Sequence, residues 1–286
     1  MKPSVQLPLI TVEDVLDMLS DRSTVIVDCR YNLSAPQASE WNYRREHVPG
    51  AHYLDMARDL SSPLSAHGGR HPLPDPAAFQ DKMRALGIGR ASKVVAYDDG
   101  DGSGAARLWW LLRYFGHRQV WVMQGGWPAW TKRGFGASSE LSVPSSTGDF
   151  LAAPNSAMVV DYQAISENPF DFVLVDSRSP ERYRGEVEPI DVKAGHIPGA
   201  LSWDYRLTQT APGHYHQPTW LLDYHKPLGS QADRLVIYCG SGVTACVNLL
   251  ALSLAGIDAR LYPGSWSDWI SYPEAPLAYG DEVSRW

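Results

Sequence analysis

Cysteine is scarce in this chain: of 286 residues only Cys29, Cys239 and Cys246 carry a thiol. So few, and an odd number, exclude a disulfide scaffold and fit a reducing compartment, where a thiol is either packed or reactive. No uninterrupted apolar run reaches membrane-spanning length, which excludes helical spans. Clustered basic charge is missing too. The formal net charge is -7, from 25 Lys+Arg against 32 Asp+Glu, and nucleic acids and membrane surfaces are polyanions that reward basic stripes. Neither is expected as a partner. The opening residues, Met1 to Leu19, hold one Lys and two prolines without an apolar signal region, so a cytoplasmic protein is expected.

Familiar ligand motifs are lacking as well, and no metal or other cofactor is expected. There is no phosphate loop ending in Gly-Lys-Ser/Thr. Asp99-Gly100-Asp101 opens like a calcium loop, but its twelfth position is Trp110 instead of Glu. His214, His216 and His225 have no zinc-type company and read as solvated loop residues.

What the chain does have is an internal repeat. Val25-Ile26-Val27-Asp28-Cys29-Arg30 recurs as Val173-Leu174-Val175-Asp176-Ser177-Arg178, and Glu46-His47-Val48-Pro49-Gly50-Ala51 as Gly195-His196-Ile197-Pro198-Gly199-Ala200. Lys93 to Asp98 pairs with Arg234 to Cys239, and Gly125-Gly126-Trp127-Pro128-Ala129-Trp130 with Gly264-Ser265-Trp266-Ser267-Asp268-Trp269. Four blocks in one order, the first two displaced by about 148 residues, define a duplicated domain. We place the copies at 1–137 and 155–286, with a Ser/Pro/Gly-rich linker at 138–154. The Trp pairs fall on repeat positions and read as core.

Within each copy, short β-branched runs (Val25–Val27, Val94–Tyr97, Val173–Val175, Leu235–Tyr238) alternate with helical segments. One runs from Thr11, an N-cap, to Leu19; another runs from Val243 to Ala255 and stops at Gly256. That alternation predicts an α/β fold with mainly parallel sheets, whose sites form beyond the carboxyl ends of strands.

Beyond Leu235–Tyr238 lies Cys239-Gly240-Ser241-Gly242-Val243-Thr244-Ala245, leading into a helix. Backbone amides of such a loop can converge on the sulfur, and with the positive helix end they favour a thiolate or a persulfide. A merely packed Cys would need neither the Gly-x-Gly loop nor this position. Cys29 and Cys246 have no such surroundings and read as packing. The first copy carries Asp98 where the second has Cys239.

The Val-x-Val-Asp-x-Arg and Gly-His-Ile-Pro-Gly-Ala blocks and the Cys239 loop resemble the two-domain rhodanese family over nearly the whole chain, and the loop looks like that of the 3-mercaptopyruvate sulfurtransferases. The resemblance implies two tandem rhodanese-like domains, each a mainly parallel five-stranded sheet flanked by helices, with only the second catalytic. It implies a Cys239 persulfide, filled by a small-molecule sulfur donor and emptied to a thiol, cyanide or a thioredoxin-like protein, in a monomer or weak dimer. Thiosulfate-preferring relatives carry basic residues directly after the Cys. Gly240 and Ser241 stand there here, which favours a singly charged mercaptopyruvate carboxylate over thiosulfate.

The resemblance further assigns Arg182 to the donor's anionic end, held by a planar, bidentate guanidinium. Gly240, Gly242, Val243 and Thr244 line the loop, His71 forms a proton relay with Ser241, and Arg107 faces the cleft from the first copy. Arg178 either joins the substrate site or pairs with Asp176. Three positions depart from the family: Ala57 stands at the acidic relay position, with Asp55 and Asp59 close by; Ser103 replaces an aromatic; and Asp191 stands where some relatives have a second substrate Arg. A phosphatase of the same fold would need a longer loop with a phosphate-gripping Arg, absent through Ala245. A persulfide carrier or sensor without rapid turnover is the other reading.

Overall fold

The computed structural model describes residues 7–281. They fall into two compact units, which are not two simple halves of the chain. The amino-terminal unit holds the residues up to Asp59, Pro76–Pro154 and Ala211–His214; the carboxy-terminal unit holds Leu60–Asp75, Asn155–Thr210 and the residues from Tyr215 on.

In the first unit β1 (Leu9–Ile10), β2 (Thr24–Asp28), β3 (His52–Tyr53), β4 (Lys93–Tyr97) and β5 (Val120–Met123) form one sheet in the order β1-β5-β4-β2-β3. Every pairing is parallel. The helices are α1 (Val12–Met18), α2 (Pro36–Arg45), α3 (Pro76–Ala85), α4 (Ser103–Tyr114) and α5 (Gly126–Lys132). Thr11 caps α1 through a capping box, its hydroxyl 3.1 Å from the Asp14 amide. The core includes Val15, Ile26, Val95 and Trp130. Residues 138–154 pack onto this unit: Gly148 donates to the Arg84 carbonyl, Ala153 to Phe115, and Phe150 is buried.

The second unit repeats the plan with β6 (Val173–Asp176), β7 (Leu201–Ser202), β8 (Leu235–Tyr238) and β9 (Arg260–Leu261), in the parallel order β9-β8-β6-β7. Its helices are α6 (Tyr162–Glu167), α7 (Pro180–Tyr183), α8 (Pro218–Gly229), α9 (Ala245–Leu254) and α10 (Ser265–Trp269). The fifth strand expected here is reduced to one parallel bridge, Val159 with Leu261. It is hemmed in by a 3-10 turn at Ser156–Met158 and by Asp161, whose side chain already caps α6. Gly256 ends α9's trailing turn at φ +73°, as its C′ position requires.

The repeated sequence blocks turn out to be structural devices. Arg30 pairs with Asp28 at 2.7 Å and donates to the Glu46 carbonyl, over the Trp127 ring. Arg178 pairs with Asp176 at 2.6 Å and donates to the Gly195 carbonyl, over Trp266. His47 stacks on Tyr43 in one copy, His196 on Tyr183 in the other. A buried Asp at the strand end must be matched by charge and hydrogen bonds, and the block supplies both.

His225 departs from the expectation of a solvated loop histidine. It sits on α8, fully buried beside Trp203, and neither ring nitrogen meets a partner among the described residues. Burial pushes its pKa from 6.5 down to about 4. The unfolded chain therefore binds a proton that the native state refuses, and stability is lost as pH falls from 6.5 towards 4. Relative to His225→Phe, the protein is expected to lose about 3 kcal/mol of unfolding free energy across that window; parallel urea titrations at several pH values would show no difference in slope if the ring were solvated.

Candidate active site

All of the site described here lies in the carboxy-terminal unit. Cys239 follows β8 directly and is almost completely buried. Its Sγ accepts the Gly242 N–H at 3.1 Å. Gly242 adopts φ +74°, and a side chain there would collide with the Pro263 carbonyl, so glycine is demanded twice over. Val243 is buried, and Thr244 is the residue before α9, whose first turn is aimed at the loop's end.

Ser241 meets His71 as the sequence suggested: Nδ1 and Oγ are 2.8 Å apart, both residues buried. His71 belongs to Leu60–Asp75, which groups with the carboxy-terminal unit instead of with the copy that surrounds it in sequence. The cause is local bonding. Gly68 N–H donates to Asp268 at 2.7 Å, Arg70 N–H to Ser267 Oγ at 3.0 Å, and His67 stacks on Tyr272 with ring centroids 4.0 Å apart. Of the carboxylates near Ala57, Asp59 accepts from the Asp55 amide and from the Arg58 and Lys82 side chains of the first unit.

Of the two places expected for Arg178, the structure shows the pairing with Asp176. Its side chain is 1% exposed, and its guanidinium binds Asp176, Glu188 and the Gly195 carbonyl, leaving no open face for a substrate. Arg107 is completely buried on α4 of the amino-terminal unit. Arg182 remains partly exposed and is held by Glu188 at 2.7 Å and Asp191 at 3.1 Å.

Sequence reasoning missed two residues. The first is Arg70, whose guanidinium pairs with Asp191 and rests on the loop: a methyl on Gly240 would lie 2.9 Å from its Nη2 and 3.5 Å from that of Arg182. Basic charge absent from the loop itself is thus brought to Gly240 by two side chains from outside it. Arg70 adjoins His71 in sequence, which was the available signal. The second is Ser265, the only non-glycine at positive φ (56°) among the described residues. Its hydroxyl accepts the Cys239 N–H at 3.1 Å and donates to the Tyr262 carbonyl at 2.9 Å. Strain of this kind gathers at functional sites. In the first copy the equivalent is Gly126, where a side chain would strike the Asp98 carbonyl.

Asp98 itself fills the first copy's loop. Its carboxylate accepts N–H bonds from Gly100, Gly102 and Ala105 at 2.9, 3.2 and 3.0 Å. Burial, with Asp101 close by, pushes its carboxyl up to about 7. The loop architecture is kept, but no nucleophile remains.

Comparison with known proteins agrees with this geometry. The rhodanese-like domain family matches residues 11–133 and 161–272. A probable 3-mercaptopyruvate sulfurtransferase of Pseudomonas aeruginosa is 44% identical over 281 residues, 96% of this chain and 98% of that one. A putative thiosulfate sulfurtransferase, SseB, of Mycobacterium tuberculosis is 37% identical, covering 95% and 97% respectively. Among solved structures, the 3-mercaptopyruvate sulfurtransferase of Leishmania major superposes with a TM-score of 0.80 at 29% identity, over 92% of this chain and 74% of that one. The chain belongs to the rhodanese family as a tandem pair of rhodanese-like domains. It is a sulfurtransferase. Among the described residues no helix is long and apolar enough to cross a membrane.

Ser265 gives a test of the strained turn. Ser265→Ala and Ser265→Gly both remove the hydroxyl that holds the Cys239 amide, but only alanine keeps a Cβ at positive φ. The alanine variant is expected to be less stable than the glycine variant by about 1 kcal/mol in denaturant unfolding. Equal stabilities would mean that this backbone is unstrained.

Proposed function

We propose that the enzyme takes sulfur from 3-mercaptopyruvate and carries it as a persulfide on Cys239. The observation that carries this reading is the 2.8 Å bond between His71 and Ser241 in the loop that holds Cys239. A relay is needed only by a donor whose departure requires a proton.

The Cys239 thiolate attacks the thiol sulfur of the donor, forming an S–S bond. The carbon–sulfur bond breaks and its electron pair stays on carbon as the enolate of pyruvate. The thiol proton passes through Ser241 and His71 to that carbon, so pyruvate leaves and the persulfide remains. Ser241 can pass a proton only because its hydroxyl both donates and accepts, and an imidazole exchanges one near neutral pH. The Gly242 N–H sits where it can also hold the charge of the outer sulfur. An acceptor thiolate or cyanide then attacks that outer sulfur and restores the Cys239 thiolate. Arg182, with Arg70 beside it, receives the donor's carboxylate.

Thiosulfate is the competing donor, favoured by the two guanidinium groups resting on Gly240. Sulfite leaves without needing a proton, and this separates the two chemistries. Cys239→Ser is expected to abolish transfer, and intact-mass spectra after donor treatment should show one added sulfur on the wild type alone. Ser241→Ala and His71→Gln should lower kcat with 3-mercaptopyruvate by about 10²-fold or more, the usual contribution of a positioned acid–base group, while sparing thiosulfate turnover. Equal losses with both donors would remove the relay. Failure of the purified enzyme to turn over repeatedly with 3-mercaptopyruvate and cyanide would point instead to a sulfur carrier.

A further inference from the structure

Three carboxylates and three guanidiniums of the catalytic unit form one alternating chain: Asp176, Arg178, Glu188, Arg182, Asp191, Arg70. The successive contacts are 2.6, 3.3, 2.7 and 3.1 Å, closed by the Asp191–Arg70 pair. The chain begins buried at the end of β6 and ends on the two guanidiniums that rest against Gly240, next to Cys239. Its charges cancel. Asp191, its side chain only 4% exposed, is the link that touches both of the arginines beside the loop. Its backbone N–H donates to Glu188 at 3.1 Å, which anchors the main chain and leaves the carboxylate to its two arginines.

From this arrangement we infer that Asp191 is a built-in competitor for the donor's carboxylate: it occupies Arg70 and Arg182 as a substrate anion would, and must yield them when the donor binds. The inference rests on the reading that these arginines receive the donor. A carboxylate makes the same bidentate, charge-assisted contacts whether it is a side chain or a ligand. With Asp191 in place the cluster has no surplus positive charge, and a donor gains only by replacing one anion with another. Asp191 thereby sets donor affinity and discriminates against weakly held anions. Burial opposes its ionised form, Arg70 pulls the other way and Glu188 adds to the opposition, leaving the carboxyl above its ordinary range.

The test is the full-length Asp191→Asn variant, which keeps size and an acceptor oxygen but not the charge, with Asp191→Ala as a second variant. Pyruvate, an unreactive carboxylate probe, is titrated calorimetrically, with pyruvamide as the uncharged control. Pyruvate binding is expected to tighten by roughly tenfold in both variants, about the worth of freed charge-assisted bonds, with pyruvamide unaffected. KM for 3-mercaptopyruvate should fall in parallel while kcat changes little. Adding Arg70→Gln to Asp191→Asn should cancel the gain. Pyruvate binding that is unchanged, weaker or undetectable in both variants would overturn the inference, as would an equal gain for pyruvamide. Should 3-mercaptopyruvate prove not to be a donor at all, turnover would reveal that separately, and the pyruvate titration would still decide the role of Asp191.

Discussion

Asp176 ends a buried parallel strand, and a carboxylate in that place must be matched by charge and hydrogen bonds. Arg178 meets it two residues on and is itself sealed by Glu188, the Gly195 carbonyl and the Trp266 face. Breaking a buried pair of this kind by removing one partner costs about 3–5 kcal/mol, because the other charge is stranded. The rest of the site hangs from that pair. Glu188 is oriented by Arg178 and in turn orients Arg182, which brings a guanidinium to the Cys239 loop at a fixed height. The loop's own contacts include an N–H from Gly242 to Sγ and the Ser265 hydroxyl on the Cys239 N–H.

The two copies show which parts of this frame are shared and which belong to one copy. Asp28 with Arg30 repeats the first rung, down to the carbonyl it grips and the tryptophan beneath it. The ladder goes no further in the first copy, where Asp98 fills the loop and takes its amides. A carboxyl there takes up amides that the second copy turns towards a sulfur. The Asp–Arg pair is thus common to both copies, whereas the extension through Glu188, Arg182 and Asp191 stands in the second, beside Cys239.

The repeat made much of this legible. Four blocks in one order revealed the duplication, strand-then-loop placement singled out Cys239, and the Ser241–His71 encounter followed from the resemblance. What stayed hidden depends on contacts between residues far apart in sequence. Arg70 and Asp191 are 121 positions apart, and nothing local in either residue shows that they meet; Asp191 read only as a missing arginine. The grouping of Leu60–Asp75 with the carboxy-terminal unit was invisible for the same reason, since its bonds run to Ser267 and Asp268. Ser265 was masked by chemistry. A serine facing a glycine in the other copy gives no sign that both share a left-handed backbone. His225 was misjudged because a polar residue on α8 carries no mark of which face it occupies.

These hidden contacts change how selectivity must be understood. Judged from its loop alone, the enzyme offers no positive charge to a donor. The folded site has two guanidiniums against Gly240, yet couples them to an internal carboxylate, so positive charge is present without being free. Affinity for an anionic donor then depends less on how many arginines face it than on how firmly Asp191 holds them. That hold is set in turn by Glu188 and, through Arg178, by the same buried aspartate that the strand needed in order to fold.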